Sequence, residues 1–168
     1  MDLREATAAD LPAILDIYNE AVRTTTASWD LEPVSLASRQ RWFAEHEAAD
    51  HPVLVAVRDG EVVGWTAYGR FRDKAGYDAT MEHTVYVRAD ARGGGIGRAL
   101  LQSLVGIARL RGVHALLGAL SSENTGSLAL HRSLGFVEVG RMPQVGRKFD
   151  RWLDLVWVEL LLDGDDRA

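Results

Sequence analysis

The sequence predicts a mixed α/β fold, a sheet with helices on its faces, on three observations. Segments of period-two alternation interleave with segments of helical spacing in the order β-α-α-β-β-β-α-β-α-β-β. An Asp59-Gly60 pair between two apolar runs supplies the positive φ of a tight hairpin, so part of the sheet is antiparallel. A strand-helix-strand run from Thr80 to Leu120 needs a crossover, so another part is parallel. With 168 residues, no internal repeat and no linker-like stretch, the chain reads as a single domain over 1–168, residues 163–168 forming an acidic tail.

The elements follow in order. Leu3 to Glu5 reads as a short strand. Thr7 or Asp10 caps the helix after it, Pro12 is tolerated in the first turn, and Leu11, Ile14, Leu15, Tyr18 and Val22 form one apolar face. Residues 24–33 are loop-like and hold Trp29. A second helix spans about Ser35 to Ala49, with Leu36, Trp42 and Phe43 as its contacts. Val53–Val57 and Val62–Tyr68 are the hairpin strands, and the polar stretch Phe71–Asp78 is a loop. Thr80 to Val87 alternates, with Met81, His83, Val85 and Val87 on one face and Glu82, Thr84 and Tyr86 on the other. Ile96, Leu100, Leu104 and Ile107 make a helical stripe that Gly112 stops. His114–Leu120 is a strand and Asn124–Leu134 a helix ended by Gly135. Phe136–Val139 and Trp152–Leu162 are the last strands, joined by a segment containing Gly and Pro.

Composition removes several classes of function. A chain 47% apolar and 26% charged has the balance of a soluble globular protein with a real core. Its 24 acidic against 19 basic residues, net -5, argue against a nucleic-acid partner. The absence of cysteine excludes disulfides, thiolate zinc sites and cysteine nucleophiles. His46, His51 and His114 share no ligand spacing, so no metal is expected. The N-terminus lacks the basic-then-apolar pattern of a signal peptide, and the apolar run Leu155–Leu162 contains Glu159 and is too short to cross a bilayer. A cytoplasmic protein without membrane contact is the expectation.

Arg92-Gly93-Gly94-Gly95-Ile96-Gly97 lies between a strand and a helix. A helix start carries free N–H groups and the positive end of the dipole, glycines let a phosphate approach, and Arg92 and Arg98 can neutralise it. The loop lacks the Gly-Lys-Ser/Thr ending of an ATP loop, and the dinucleotide fingerprint fails because Arg98 or Leu100 stands where its third glycine belongs. The Arg-x-x-Gly-x-Gly that remains resembles the pyrophosphate loop of the GNAT N-acetyltransferases. Glu82–Val87 before it, and Ser122-Glu123-Asn124 with Leu130–Phe136 after it, are similar to that family's central strand and second cofactor segment. Tyr18–Val22, Thr26–Trp29, Met142–Phe149 and Arg151–Asp154 resemble one branch, the phosphinothricin, methionine sulfoximine and methionine sulfone acetyltransferases.

The resemblance implies a GNAT-type splayed sheet with helices on both faces and acetyl-CoA as acyl donor. The thioester would insert between the Thr80–Val87 strand and the His114–Leu120 strand, and backbone groups of Val85, Tyr86 and Val87 would hold the pantetheine arm and polarise the carbonyl. It further implies a homodimer through Lys148, Phe149 and Trp152, direct transfer to the α-amino group of a small amino-acid analogue, and a detoxifying role.

Amide formation needs a neutral amine, so a base is required. Glu82 is the first candidate; from position alone it is equally a solvated strand carboxylate, and the resembled branch makes it the base. His131 occupies the position where the wider family has a tyrosine that acts as acid on the thiolate side. It is read as that acid or as a packed histidine. Asn124 suits both a pantetheine contact and a helix cap. Ser133 matches a cofactor contact or is a helix-surface serine. Arg70 and Arg72 are candidates to grip a substrate carboxylate, and Ala75, Gly76, Tyr77 and Trp29 to line the acceptor pocket. Two other functions stay open: transfer to a polyamine, aminoglycoside or protein N-terminus, and a non-catalytic acyl-CoA-binding regulatory module.

Overall fold

A computed structural model describes residues 1–162, so the acidic tail expected at 163–168 lies outside the described residues. The elements are β1 (Asp2–Glu5), α1 (Leu11–Thr24), α2 (Leu36–Ala48), β2 (Val53–Arg58), β3 (Glu61–Arg70), β4 (Thr80–Val87), α3 (Ile96–Leu110), β5 (Ala115–Ser121), α4 (Thr125–Ser133), β6 (Val137–Lys148) and β7 (Arg151–Leu161). Seven strands form one mixed sheet in the order β1-β2-β3-β4-β5-β7-β6. Strand β4 pairs parallel with β5, as the crossover requires, and the β1–β2, β2–β3, β5–β7 and β6–β7 pairs are antiparallel. The chain falls into two compact units, Met1–Tyr68 with Thr84–Leu104, and Gly69–His83 with residues from Val105 onward.

In the first unit, Leu11, Ile14, Ile17, Phe43, Val53, Val55, Trp65 and Ala67 make the core, burying the apolar faces of α1, α2 and the hairpin. Asp59 (φ 54°) and Gly60 (φ 81°) form the hairpin turn. The Ser35 side chain caps α2 by accepting from Ser38 N–H, and Arg39 and Phe43 are its buried side chains, while Leu36 stays exposed. Arg4 clamps Asp10 with two bonds of 2.8 Å, and Thr7 N–H donates to the same carboxylate.

In the second unit, β5 runs against β7 from Ala115↔Leu161 to Ser121↔Leu155. The Gly/Pro-containing segment before Trp152, expected to be a connection, is strand: β6 continues from Val137 to Lys148 and turns directly into β7. Pro143 is tolerated because β6 is the last strand of the sheet and its register shifts between Met142 and Gly146, so the missing N–H costs no ladder bond. The turn places Phe149 and Asp150 at φ 50° and 58°, a left-handed pair without glycine. Among the described residues no helix is long and apolar enough to cross a membrane.

Candidate functional site

The first unit holds the glycine loop. A short 3-10 turn, Ala89–Ala91, ends β4, and the loop then enters α3 at Ile96. Gly93 (φ 78°) and Gly95 (φ 80°) are left-handed, and a Cβ added at either would meet nothing within 4 Å. Gly93, Gly94 and Gly95 are exposed, Gly97 is partly covered, and Arg98 is exposed. The Arg92 Nε donates to the Val87 carbonyl at 3.0 Å and ties the loop to the strand end. The start of α3 is seated by Gly64 on β3, where a Cβ would come within 3.1 Å of Leu100 Cδ1 and 3.2 Å of Ile96 Cγ2. Backbone N–H groups at a helix start, open space and flanking arginines fit a pyrophosphate.

On β4, Tyr86 stacks on Trp65 with ring centroids 5.0 Å apart, and its hydroxyl donates to the Ala27 carbonyl. Burial pushes that phenol above its ordinary value. Its side chain therefore packs against the core, which leaves the backbone as the part of Tyr86 free of that packing. Trp29 is half-buried in the loop whose Ser28 bonds the Tyr18 hydroxyl at 3.0 Å.

The second unit holds the titratable candidates. Glu82 is half-buried, and burial pushes its carboxyl above the ordinary range while the Arg72 guanidinium pulls it back. Arg72 lies 5.0 Å over the Phe71 ring, whereas Arg70 is in an ion pair with Asp78. Of the two arginines, Arg70 is thus already matched to a carboxylate. Ala75, Gly76 and Tyr77 form a 3-10 turn. The Tyr77 ring meets Phe71 edge-on at 5.6 Å, and Phe71 meets Trp157 at 5.7 Å. Sequence reasoning missed Phe71 and Trp157: Phe71 is visible as the neighbour of Arg72, but Trp157 reads only as an alternating strand residue.

His131 is 1% exposed and lies within a histidine pair that sequence reasoning did not find. Its Nδ1 meets the Ser127 carbonyl at 2.7 Å, the His83 Nδ1 meets the Leu117 carbonyl at 2.7 Å, and the two Nε2 atoms are 2.8 Å apart. Both Nδ1 atoms face carbonyl oxygens, which only accept, so a hydrogen bond between the two Nε2 atoms requires a third proton and a net positive charge on the pair. Burial lowers both rings below the ordinary imidazole value. Phe136 packs against both rings, and Gly118 leaves the room that His83 occupies. Asn124 is the N-cap of α4, its side-chain oxygen accepting from Ser127 N–H at 3.2 Å. Ser133 is exposed and its hydroxyl donates to the Leu130 carbonyl. Lys148 is buried, while Phe149 and Trp152 are 49% and 60% exposed. Among the described residues no group of His, Asp or Glu side chains is placed to hold a metal ion.

The model of the acetyltransferase (GNAT) family matches residues 14–136. The L-methionine sulfoximine/L-methionine sulfone acetyltransferase of Pseudomonas aeruginosa is 51% identical over 162 residues, covering 96% of this chain and 94% of that protein. The crystal structure of a ribosomal-protein-alanine N-acetyltransferase from Brucella melitensis is similar at 49% identity and TM-score 0.94, over 96% of this chain and all of that one. The phosphinothricin acetyltransferase of Sinorhizobium meliloti, solved with acetyl-CoA, is similar at 36% identity and TM-score 0.94, over 96% and 88% of the two chains.

Proposed function

Because the chain belongs to the GNAT family of acetyltransferases, we propose that it acetylates the α-amino group of a small amino-acid analogue by direct transfer from acetyl-CoA, with Glu82 as base. Methionine sulfone, methionine sulfoximine and phosphinothricin are the acceptors assigned. One observation carries the reading: Glu82 is half-buried, its proton affinity is raised, and the Arg72 charge acts on it. An α-amino acid presents its ammonium and carboxylate on one carbon, so a base and a carboxylate grip have to be near neighbours.

In this reading Arg72 takes the acceptor carboxylate, with Tyr77, Ala75 and Gly76 on the adjacent turn, Trp29 as a further pocket residue and Arg70 held in reserve by Asp78. Glu82 removes the ammonium proton, directly or through water. The free amine then attacks the thioester carbonyl. N–H groups of Val85–Val87 donate to the developing oxyanion. As the carbon–sulfur bond breaks, the thiolate takes up a proton, with His131 as the acid assigned to that side. Arg92, Gly93, Gly94, Gly95, Ile96, Gly97 and Arg98 hold the pyrophosphate, and Asn124 and Ser133 contact the pantetheine side. The exposed Phe149 and Trp152 support a homodimer. The cytoplasm, where acetyl-CoA is available, is the compartment assigned, and detoxification the role.

The test is Glu82→Gln. Loss of a positioned base lowers kcat by about 10²–10⁴-fold and removes the acid limb of the pH profile, a limb lying above the ordinary carboxylate range. An unchanged rate at saturating acceptor across pH overturns the assignment. A panel following CoA release compares the three analogues with a polyamine, an aminoglycoside and an alanine-terminated peptide. The last is included because the Brucella relative is named for that chemistry. Faster turnover of the peptide than of any analogue overturns the acceptor class.

A further inference from the structure

In the second unit, Glu82 on β4 is aligned with Leu117 on β5, and Leu117 with Glu159 on β7. Residues aligned across a sheet point to one face, and so do residues two apart on a strand. Trp157 therefore shares the face of Glu82. His83, Gly118 and Val158 take the opposite face, which agrees with the contacts a Cβ on Gly118 would make with the other two. Phe71 is tied to the Glu82 side twice. Its N–H donates to the Thr80 carbonyl, and its ring meets Trp157 edge-on, with centroids 5.7 Å apart and planes at 87°. Tyr77 meets the same ring at 5.6 Å and 77°. Phe71 is thus held by two rings in the geometry that aromatic pairs favour.

The guanidinium of Arg72 lies over this braced ring, 5.0 Å from its centroid. Among the described residues Arg72 makes no hydrogen bond and no ion pair. Arg70, two residues earlier, is the contrast, since it is paired with Asp78. The difference decides what each arginine can bind. An ion pair engages the N–H donors of a guanidinium with an acceptor oxygen. A ring face attracts the cation through its quadrupole and supplies no such oxygen, so the donors remain for a ligand. An exposed arginine without a brace is spread over many rotamers, and ordering it on binding weakens affinity. The Phe71 ring restricts Arg72 before the acceptor arrives.

We propose that Phe71, braced by Trp157, is a positioning residue that presents the donors of Arg72 to the α-carboxylate of the acceptor. It thereby makes the enzyme selective for amines that carry a carboxylate. The proposal rests on the assignment of Arg72 as the carboxylate grip.

The test compares methionine sulfone with its α-carboxamide by kcat/KM at saturating acetyl-CoA. The amide keeps the amine and the side chain and loses the negative charge. The wild type should favour the free acid by about tenfold to a hundredfold. Dividing each variant's preference by that of the wild type cancels the unequal basicity of the two amines. Arg72→Met should remove the preference. Phe71→Leu keeps an apolar side chain without a ring face, and should lower the preference by about three- to thirtyfold with the acetyl-CoA KM unchanged. Phe71→Tyr returns a ring and should restore it. Trp157→Leu removes the brace and should shift the preference in the direction of Phe71→Leu, and it decides if Phe71→Leu does not fold. A wild type without the preference, or an Arg72→Met variant that keeps it, removes the grip and the proposal with it. If Arg72→Met loses the preference while Phe71→Leu and Trp157→Leu retain it, the grip stands and the positioning role is overturned. An equal loss for both acceptors in Phe71→Leu marks a merely structural ring and overturns it too.

Discussion

Alanine at position 118 would bring a Cβ to 2.9 Å from His83 Cε1 and 3.0 Å from Val158 Cγ2. In the interior of a strand, replacing glycine by alanine ordinarily gains about 0.5–1 kcal/mol, because the unfolded chain has less freedom to lose. Here the imidazole cannot retreat cheaply. Its Nδ1 is held by the Leu117 carbonyl and its Nε2 by His131, so a shift of a few tenths of an ångström stretches one of two bonds of 2.7 and 2.8 Å. Overpacking of this kind costs about 1–3 kcal/mol, so after the backbone gain Gly118→Ala should destabilise by roughly 0.5–2 kcal/mol. At about 2–4 °C per kcal/mol for a chain of this size, Tm falls by roughly 1–8 °C. Gly106 in α3 is the internal control: nothing lies within 4 Å of an added Cβ, and Gly106→Ala should stabilise by about 0.5–1 kcal/mol. Calorimetry and urea denaturation read both. Combining Gly118→Ala with His83→Ala adds a second check, since the new methyl then has room and the costs should fall short of their sum. A neutral or stabilising Gly118→Ala, or costs that add within about 0.5 kcal/mol, would refute the steric argument.

Three further outcomes are expected. Arg72→Met should raise the acceptor KM by about tenfold to a hundredfold, and it should also move the acid limb of kcat/KM to higher pH, because the Arg72 charge holds the Glu82 carboxyl down; steady-state kinetics across pH read both effects. Gly95→Ala places a side chain at φ 80° in the phosphate loop and should raise the acetyl-CoA KM with the acceptor KM unchanged, at a stability cost of about 1–2 kcal/mol. Asp10 is held at about 2 chiefly by its bonds to Arg4. A depressed carboxyl contributes stability above its unfolded value and loses it as pH falls toward 2. Acid unfolding should therefore show a loss of about 1–2 kcal/mol between roughly pH 4 and 2 that Asp10→Asn abolishes.

Local signals located most elements. The Thr80–Val87 alternation marks β4 residue for residue, Ser35 marks the start of α2, and Gly60, Gly112 and Gly135 all take the positive φ their positions required. What escaped is set by contacts distant in sequence. The continuity of β6 depends on its partner β7 and its edge position, which override the local warning of Pro143 and Gly146. The turn at Phe149–Asp150 lacks the glycine by which such turns are found. The position of Glu82 on β4 could be read from the alternation, but the Arg72 charge acting on it could not. His83 looked like an ordinary strand residue because its partner, His131, is on another element. Arg39 gave no signal of its burial, since an arginine on a helix is usually solvated.

The interrupted edge of β6 bears on how the protein behaves when crowded with copies of itself. Val137, Val139, Met142 and Val145 are each about half exposed along that last strand. An uninterrupted apolar edge of this length would invite a neighbouring chain to add its own strand. Pro143 withholds an N–H, and the register shifts at Glu138/Gly140 and Met142/Gly146 break the spacing an incoming strand would need. The irregularity that disguised β6 in the sequence thus also guards it against fibrous self-association. Regularising the strand for stability would trade that colloidal protection away.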